Sequence, residues 1–281
     1  MEDSEKEVKK KLKLKEKEEL KSLKKAKKDE KKVQKNIKKT IKDEKKASHK
    51  EKMAPIKEEW RKKNEAPERP ILEEIGSSVS HGIGALLTIV ALILLLQKSN
   101  TGLKITASIV YFTAMLFMFL NSCLYHAFKW GTKVKRIWRR FDYTSIYLLV
   151  AGTFAPLQLI ETPYEYGDIG LIWGITYFAI MWTLVIIGVT FTCIFGPGRV
   201  KKINFPLYFI IGWSGICMIP GWIIHERYAL IWWIVGGGIV YTLGMIPFGL
   251  FRNKKGMHFV WHLIVFAGVI LHFLGLYFTV Y

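Results

Sequence analysis

The sequence predicts an all-α integral membrane protein, a bundle of seven transmembrane helices preceded by a charged N-terminal extension. Three observations support this: a sharp change in composition near Pro70, a series of apolar runs after it, and an alternation of positive charge between those runs. Each run is close to 20 residues, the length at which a helix spans a hydrocarbon core of roughly 30 Å. We therefore divide the chain into an extension with its linker, 1–70, and a membrane domain, 71–281.

The extension is strongly charged, with 27 Lys and Arg against 16 Asp and Glu in residues 1–70. Lys and Glu at helical spacing favour a solvated helix, whereas high charge with few apolar residues is also typical of disorder, and both interpretations stay open. Pro55, Pro67 and Pro70 are expected to end such a helix and form the linker. The positive charge favours anionic lipid headgroups as a partner, and we expect no specific nucleic acid partner.

Seven apolar segments follow the linker. Their limits are 75–96, 104–126, 142–160, 169–194, 205–224, 228–250 and 259–280. If the extension is cytoplasmic, the connections on the cytoplasmic side carry twelve Lys and Arg, and those on the other side carry three. This asymmetry follows the positive-inside rule. It predicts a multi-pass protein of the cell membrane with its N-terminus in the cytoplasm.

Three histidines lie at the cytoplasmic ends of these segments. His126 ends the second segment, and His258 and His262 begin the seventh. A spacing of four residues puts His258 and His262 on one face of a helix, one turn apart. Imidazole is the commonest metal ligand in proteins, and three of them suit a zinc ion with an open fourth position. Because intramembrane ionisable residues are costly and usually functional, this cluster is the candidate site.

Two further polar residues share that depth. Ser122 precedes His126 by one helical turn, so it points the same way; it either contacts a metal-bound group or bonds its own backbone. Asp142 is the carboxylate within the third segment. It either sits in a first helical turn beside Arg139 and Arg140, or acts as a base that handles a water proton, and we favour the base.

The other histidines have different expected roles. His81 begins the first segment at the same depth, among small residues, and is a candidate hydrogen-bonding group next to the ligands or a structural histidine. His272 lies ten residues beyond His262, about 15 Å farther along the helix, which excludes it as a ligand of the same ion. His225 is expected on the opposite side of the membrane.

Taken together, these residues resemble the haemolysin III family, bacterial relatives of the progestin and adiponectin receptors. The matching stretches are EEIGSSVSHGIGA at 73–85, SCLYH at 122–126, FDYTSIYLLVAGTFAP at 141–156 and HFVWHLIVFAGVILHF at 258–273. The resemblance covers about 71–281. It implies that His126, His258 and His262 hold Zn²⁺ near the cytoplasmic face. It also implies that Asp142 associates with a water on the zinc, and that Ser122 has a supporting role.

The resemblance implies a zinc-dependent membrane hydrolase, and the wider superfamily suggests a lipid amide such as ceramide as substrate. The expected partner is then a membrane lipid. Two alternatives stay open: a cytolytic, pore-forming membrane protein, and a receptor in which the zinc is structural. Soluble enzymes and transcription factors are excluded by the apolar segments.

Overall fold

A computed structural model of the chain describes residues 2–251 and 254–281, apart from the side chains of 2–14 and Glu18. The described residues are helical almost throughout and contain no strand. The chain divides into two compact units, residues 1–62 and 63–281. The predicted all-helical class is therefore confirmed.

The first unit is a single helix, α1 (Glu2–Lys63), whose described Leu, Ile and Val side chains are exposed, whereas Met53 and Trp60 are partly buried. We predicted that Pro55 would help to end a helix here, and this was wrong, because α1 continues through Pro55 for two more turns. A proline removes one backbone hydrogen bond, and the strong helix formers on both sides of it compensate for that loss.

The described residues of the second unit form eight α-helices. Their bounds are α2 (Ile71–Gln97), α3 (Gly102–Ala127), α4 (Lys133–Pro156), α5 (Thr162–Phe195), α6 (Lys201–Trp213), α7 (Ile219–Ile224), α8 (Tyr228–Gly249) and α9 (Met257–Thr279). A π-helical turn, Leu157–Glu161, joins α4 to α5, and a 3₁₀ turn, Ser214–Met218, joins α6 to α7. The core packs aliphatic, aromatic and Met side chains between these helices.

Six helical stretches, 71–97, 102–127, 133–195, 201–224, 228–249 and 257–279, are long and apolar enough to cross a membrane, where we predicted seven. The third stretch has 63 residues and joins α4 to α5. Within it, Arg140 donates a 2.6 Å hydrogen bond to the carbonyl of Cys193, and Gly188 lies against the ring of Tyr147. These contacts show that α4 and α5 pack antiparallel. The orientation of the bundle stays a prediction, and Arg252, counted for it, lies outside the described residues.

Two predicted segments have different limits in the structure. The third begins at Lys133 rather than 142, because the Thr132 hydroxyl caps α4 by accepting a hydrogen bond from the amide of Lys135 at 3.2 Å. The segment predicted at 205–224 is interrupted by the 3₁₀ turn. Pro220, just after that turn, cannot donate a backbone hydrogen bond. The earlier start of α4 brings its basic residues into the helix, next to the candidate site.

The segment 64–69 runs across the end of the bundle where α2 and α9 begin, and its backbone is held there. Trp130 donates to the carbonyl of Ala66 at 2.8 Å, and Arg139 donates to the carbonyl of Asn64 at 2.9 Å. The Asn64 side chain donates to the carbonyl of Phe195 at 2.9 Å and accepts from the amide of Gly198 at 3.1 Å. This segment, which we call the strap, ties α3, α4 and the α5–α6 loop together.

Candidate metal centre

Three imidazoles converge where α3 ends and α9 begins. The Nε2 atom of His258 lies 3.3 Å from Nε2 of His126 and 3.0 Å from Nε2 of His262. All three side chains are buried. The spacing of four residues puts His258 and His262 on one face of α9, and the last turn of α3 supplies the third ring.

The three histidines together could hold a metal ion. Zinc binds histidine nitrogen at about 2.0–2.1 Å, so a tetrahedral site separates its nitrogens by roughly 3.3 Å. The two measured separations are close to that value. Because a neutral imidazole carries only one N–H, three facing Nε2 atoms cannot all be satisfied by one another, whereas a cation satisfies all three lone pairs. The residues therefore fit a metal ion.

Glu74 on α2 holds the first ligand in place. Its Oε2 atom lies 2.6 Å from Nδ1 of His126 and 2.9 Å from Nζ of the buried Lys135. A carboxylate on the second nitrogen of a metal-binding histidine fixes the tautomer and turns the other nitrogen towards the metal. We predicted no role for Glu74 from the sequence, although it lies in the first turn of α2, at the depth of the site.

Glu73 positions the start of α9. Its Oε2 atom accepts a 2.7 Å hydrogen bond from the amide of Gly256, which precedes α9 with a φ of 82°. Its other oxygen lies 3.5 Å from Nε of Arg69, and Arg69 also donates to the hydroxyl of Tyr125 at 3.3 Å. The first turn of α9, which carries His258, is therefore anchored to α2.

His81 lies beside the third ligand, with its Nε2 atom 3.0 Å from Nδ1 of His262. The two rings meet edge to face with centroids 4.3 Å apart, and Phe119 packs on the other side of His81 at 5.3 Å. His81 thus has the geometry of a hydrogen-bonding group for His262. Its role stays a prediction.

Asp142 and Ser122, the candidate catalytic residues, line one cavity together with His81, His258 and His262. Asp142 is partly buried, and Ser122 is buried with its hydroxyl next to the Asp142 carboxylate. The rest of the cavity wall is largely apolar and comes mainly from α4, α6, α8 and α9. His258 and His262 therefore face an apolar chamber, with a carboxylate and a serine hydroxyl beside them.

A family model described as "Haemolysin-III related" matches residues 70–273. The chain belongs to the haemolysin III family. It is 36% identical to "Hemolysin-3" of Bacillus cereus over 218 residues, which are 75% of this chain and 93% of that protein. It is 31% identical to the "Hemolysin-3 homolog" of Bacillus subtilis (strain 168) over 201 residues, which are 70% of this chain and 90% of that protein.

The resemblance stated from the motifs is thereby confirmed, and the protein is a multi-pass membrane protein of the haemolysin III family. The match begins at residue 70, so α1 and the strap precede the part of the chain that defines the family. His225 is exposed after α7, and Nε2 of His272 lies 3.1 Å from the carbonyl of Ile234. Neither belongs to the cluster that could hold a metal.

Proposed function

We propose that this haemolysin III family member is a zinc-dependent intramembrane hydrolase that acts on a lipid, most simply a lipid amide. One observation carries the proposal: three histidines are spaced for a metal ion, and two of them, His258 and His262, line an apolar cavity together with Asp142 and Ser122. Zinc with an open fourth position would supply a Lewis acid for a substrate carbonyl.

The side chains of the cavity have separate roles in this proposal. Asp142 accepts and orients the proton of a water that enters the cavity, as a general base does. The hydroxyl of Ser122, which lines the cavity, donates a hydrogen bond to the substrate headgroup. Glu74 and His81 keep His126 and His262 oriented through their Nδ1 atoms. The apolar wall accommodates an acyl chain and limits the entry of water.

The test combines metal analysis with lipid turnover on the purified protein. We expect about one zinc per chain in the wild type, loss of zinc in His262→Ala, and full zinc in the matched control His225→Ala, since His225 is exposed outside the cluster. Labelled ceramide should release fatty acid with the wild type and with His225→Ala only. Asp142→Asn should keep its zinc and lose turnover. Turnover that persists in His262→Ala would reject the hydrolase.

A receptor with structural zinc gives a different outcome in the same experiment. The metal would then be bound without any turnover of labelled lipids, and His262→Ala would lower the unfolding temperature. That result would replace the hydrolase by the receptor.

A cytolytic function is the second candidate, because the two relatives carry the name hemolysin. The largely apolar cavity wall disfavours an ion pathway, since pores are lined by carbonyls or charged side chains. Planar bilayers that contain the purified protein should therefore remain silent. Stepwise conductance that His262→Ala leaves unchanged would favour the pore.

We also propose seven membrane crossings, with α4 and α5 counted as two, and a cytoplasmic N-terminus. A straight helix of 63 residues would be roughly 95 Å long, about three times the hydrocarbon thickness, whereas α4 and α5 pack antiparallel. Single cysteines introduced in a cysteine-free background at Ser48 and at the C-terminal Tyr281 should react with impermeant reagents on opposite sides. Labelling of both from the same side would reject the odd number of crossings.

For the extension, we propose anionic lipid headgroups as the partner. Its described Lys side chains are exposed along α1, and a dense cationic surface is attracted to anionic lipid in a salt-dependent way. Full-length protein should bind anionic vesicles more tightly than a variant that lacks residues 1–60, and the difference should disappear in high salt. Equal binding of the two proteins at low salt would contradict this.

A further inference from the structure

A second pair of polar side chains lies in the same cavity, far from the metal centre. His272 on α9 follows His262 by ten residues, a rise of about 15 Å along the helix. Tyr241 on α8 faces it, with ring centroids 5.1 Å apart, and both side chains line the cavity. The proposed hydrolase chemistry uses neither residue.

The hydrogen bond that His272 makes determines which of its nitrogens is free. Its Nε2 atom lies 3.1 Å from the carbonyl oxygen of Ile234, and a carbonyl can only accept. Nε2 therefore carries the proton and donates it. In the neutral ring Nδ1 is then an acceptor, and it is buried with no partner in the described parts of the chain.

Tyr241 completes the pair. Its hydroxyl is buried and has no hydrogen-bond partner within 2–251 and 254–281. Two tyrosine or threonine side chains on the same wall differ from it: Tyr208 donates to the carbonyl of Tyr143 at 2.8 Å, and Thr242 donates to the carbonyl of Gly238 at 2.8 Å. Buried polar atoms are normally paired, so two unpaired atoms on adjacent rings indicate a ligand group between or beside them.

Glycines on the facing helices fix both rings. A Cβ atom at Gly237 of α8 would lie 2.5 Å from Nε2 of His272, and a Cβ atom at Gly268 of α9 would collide with the ring of Tyr241. Each ring is thus seated against a glycine backbone of the opposite helix. The two polar atoms are held in position by this packing rather than by each other.

We propose that His272 and Tyr241 form a subsite for a hydroxyl group on an elongated lipid. The ligand hydroxyl donates to Nδ1 of His272 and accepts from the hydroxyl of Tyr241, which pairs both buried atoms. Apolar side chains, among them Leu149, Val150 and Val265, line the cavity together with this pair and the metal centre. The substrate class follows: a lipid whose headgroup lies at the metal centre and which carries a hydroxyl about 15 Å farther along. Only one part of this inference rests on the proposed lipid hydrolase, namely that the ligand is a lipid.

Binding of two fatty acids to the full-length, zinc-loaded protein in nanodiscs tests the subsite. The probes are octadecanoic acid and 12-hydroxyoctadecanoic acid, which differ by one hydroxyl far from the carboxylate. The wild type should bind the hydroxy acid about tenfold more tightly, the combined value of the two hydrogen bonds that its hydroxyl makes. Tyr241→Phe removes one of these two bonds and should lower the ratio of affinities to about threefold. His272→Phe should do the same.

The matched control is Tyr208→Phe, a cavity tyrosine whose hydroxyl is already bonded, and this variant should keep the tenfold ratio. Equal affinities in the wild type, a ratio that survives Tyr241→Phe unchanged, or failure of the hydroxy acid to bind would each overturn the subsite, and the first two would assign these atoms to water. The ratio is read from binding, so a protein without lipid turnover but with the hydroxyl preference rejects the hydrolase and keeps the subsite.

Discussion

At each end of the helix bundle a carboxylate lies next to a cation, but the two carboxylates have different roles. At the end opposite the metal centre, Glu161 receives two hydrogen bonds from Arg227, of 2.5 and 2.7 Å, and Arg227 also donates to the carbonyl of Thr279. At the metal end, a single oxygen of Glu74 is shared by the ammonium of Lys135 and the ring of His126.

Glu161 connects two parts of the bundle, whereas Glu74 orients a candidate metal ligand. Glu161 raises the pKa of the Arg227 guanidinium, and the contacts of Arg227 with Glu161 and Thr279 tie the end of α9 to the α4–α5 turn. Glu74 instead contacts two groups through one oxygen. Its contact with Nδ1 of His126 leaves Nε2 of that ring facing the other two imidazoles. The first arrangement should act on stability, and the second on metal affinity.

The largest effect is expected from Arg227→Met, which leaves the carboxylate of Glu161 buried without its cation. Breaking a buried ion pair from one side costs about 3 kcal/mol of unfolding free energy or more. Thermal unfolding in detergent, followed by tryptophan fluorescence, should show a clearly lowered midpoint, with zinc content per folded chain unchanged. A variant that loses zinc without losing stability would remove the distinction between the two ends.

Glu74→Gln tests the metal end. The amide keeps the shape but not the charge of the carboxylate, so we expect zinc affinity to fall by about 10–100-fold, measured by competition with a chelator. Glu65→Gln is the matched control, because the Glu65 carboxylate pairs with Arg136 at 3.1 Å rather than with a histidine among the described residues. Equal losses of zinc affinity in the two variants would show that Glu74 has no special connection to His126.

Only part of the metal end can be predicted from the sequence. His258 and His262 are foreseeable because both lie on one helix, where a spacing of four residues fixes their common face. His126 follows from its depth and the resemblance. The role of Glu74 depends on the lateral packing of α2 against α3, which no periodicity within one segment encodes.

The sequence also predicts the limits of helices less well, because the charged residues at the start of α4 resemble a loop. Lys135 and Arg139 read as loop charges, yet the cap at Thr132 starts the helix before them and both side chains are buried. Likewise, the seven predicted segments become six long apolar stretches, because helical structure continues through the turn between α4 and α5. The apolar pattern therefore predicts membrane helices better than it predicts their ends.

The smallest effect is expected from Asn64→Ala in the strap, which closes the metal end outside the part matched to the family. The change removes the hydrogen bonds to the carbonyl of Phe195 and from the amide of Gly198. Asn64 is only partly buried and water can replace both partners, so the loss should be about 1 kcal/mol of unfolding free energy. Asn100→Ala, exposed in the loop between α2 and α3, is the control and should change nothing measurable. A different outcome would be that Asn64→Ala lowers zinc affinity as much as Glu74→Gln does. In that case the strap would also orient the metal ligands, and the same residues at the metal end would serve both stability and metal binding.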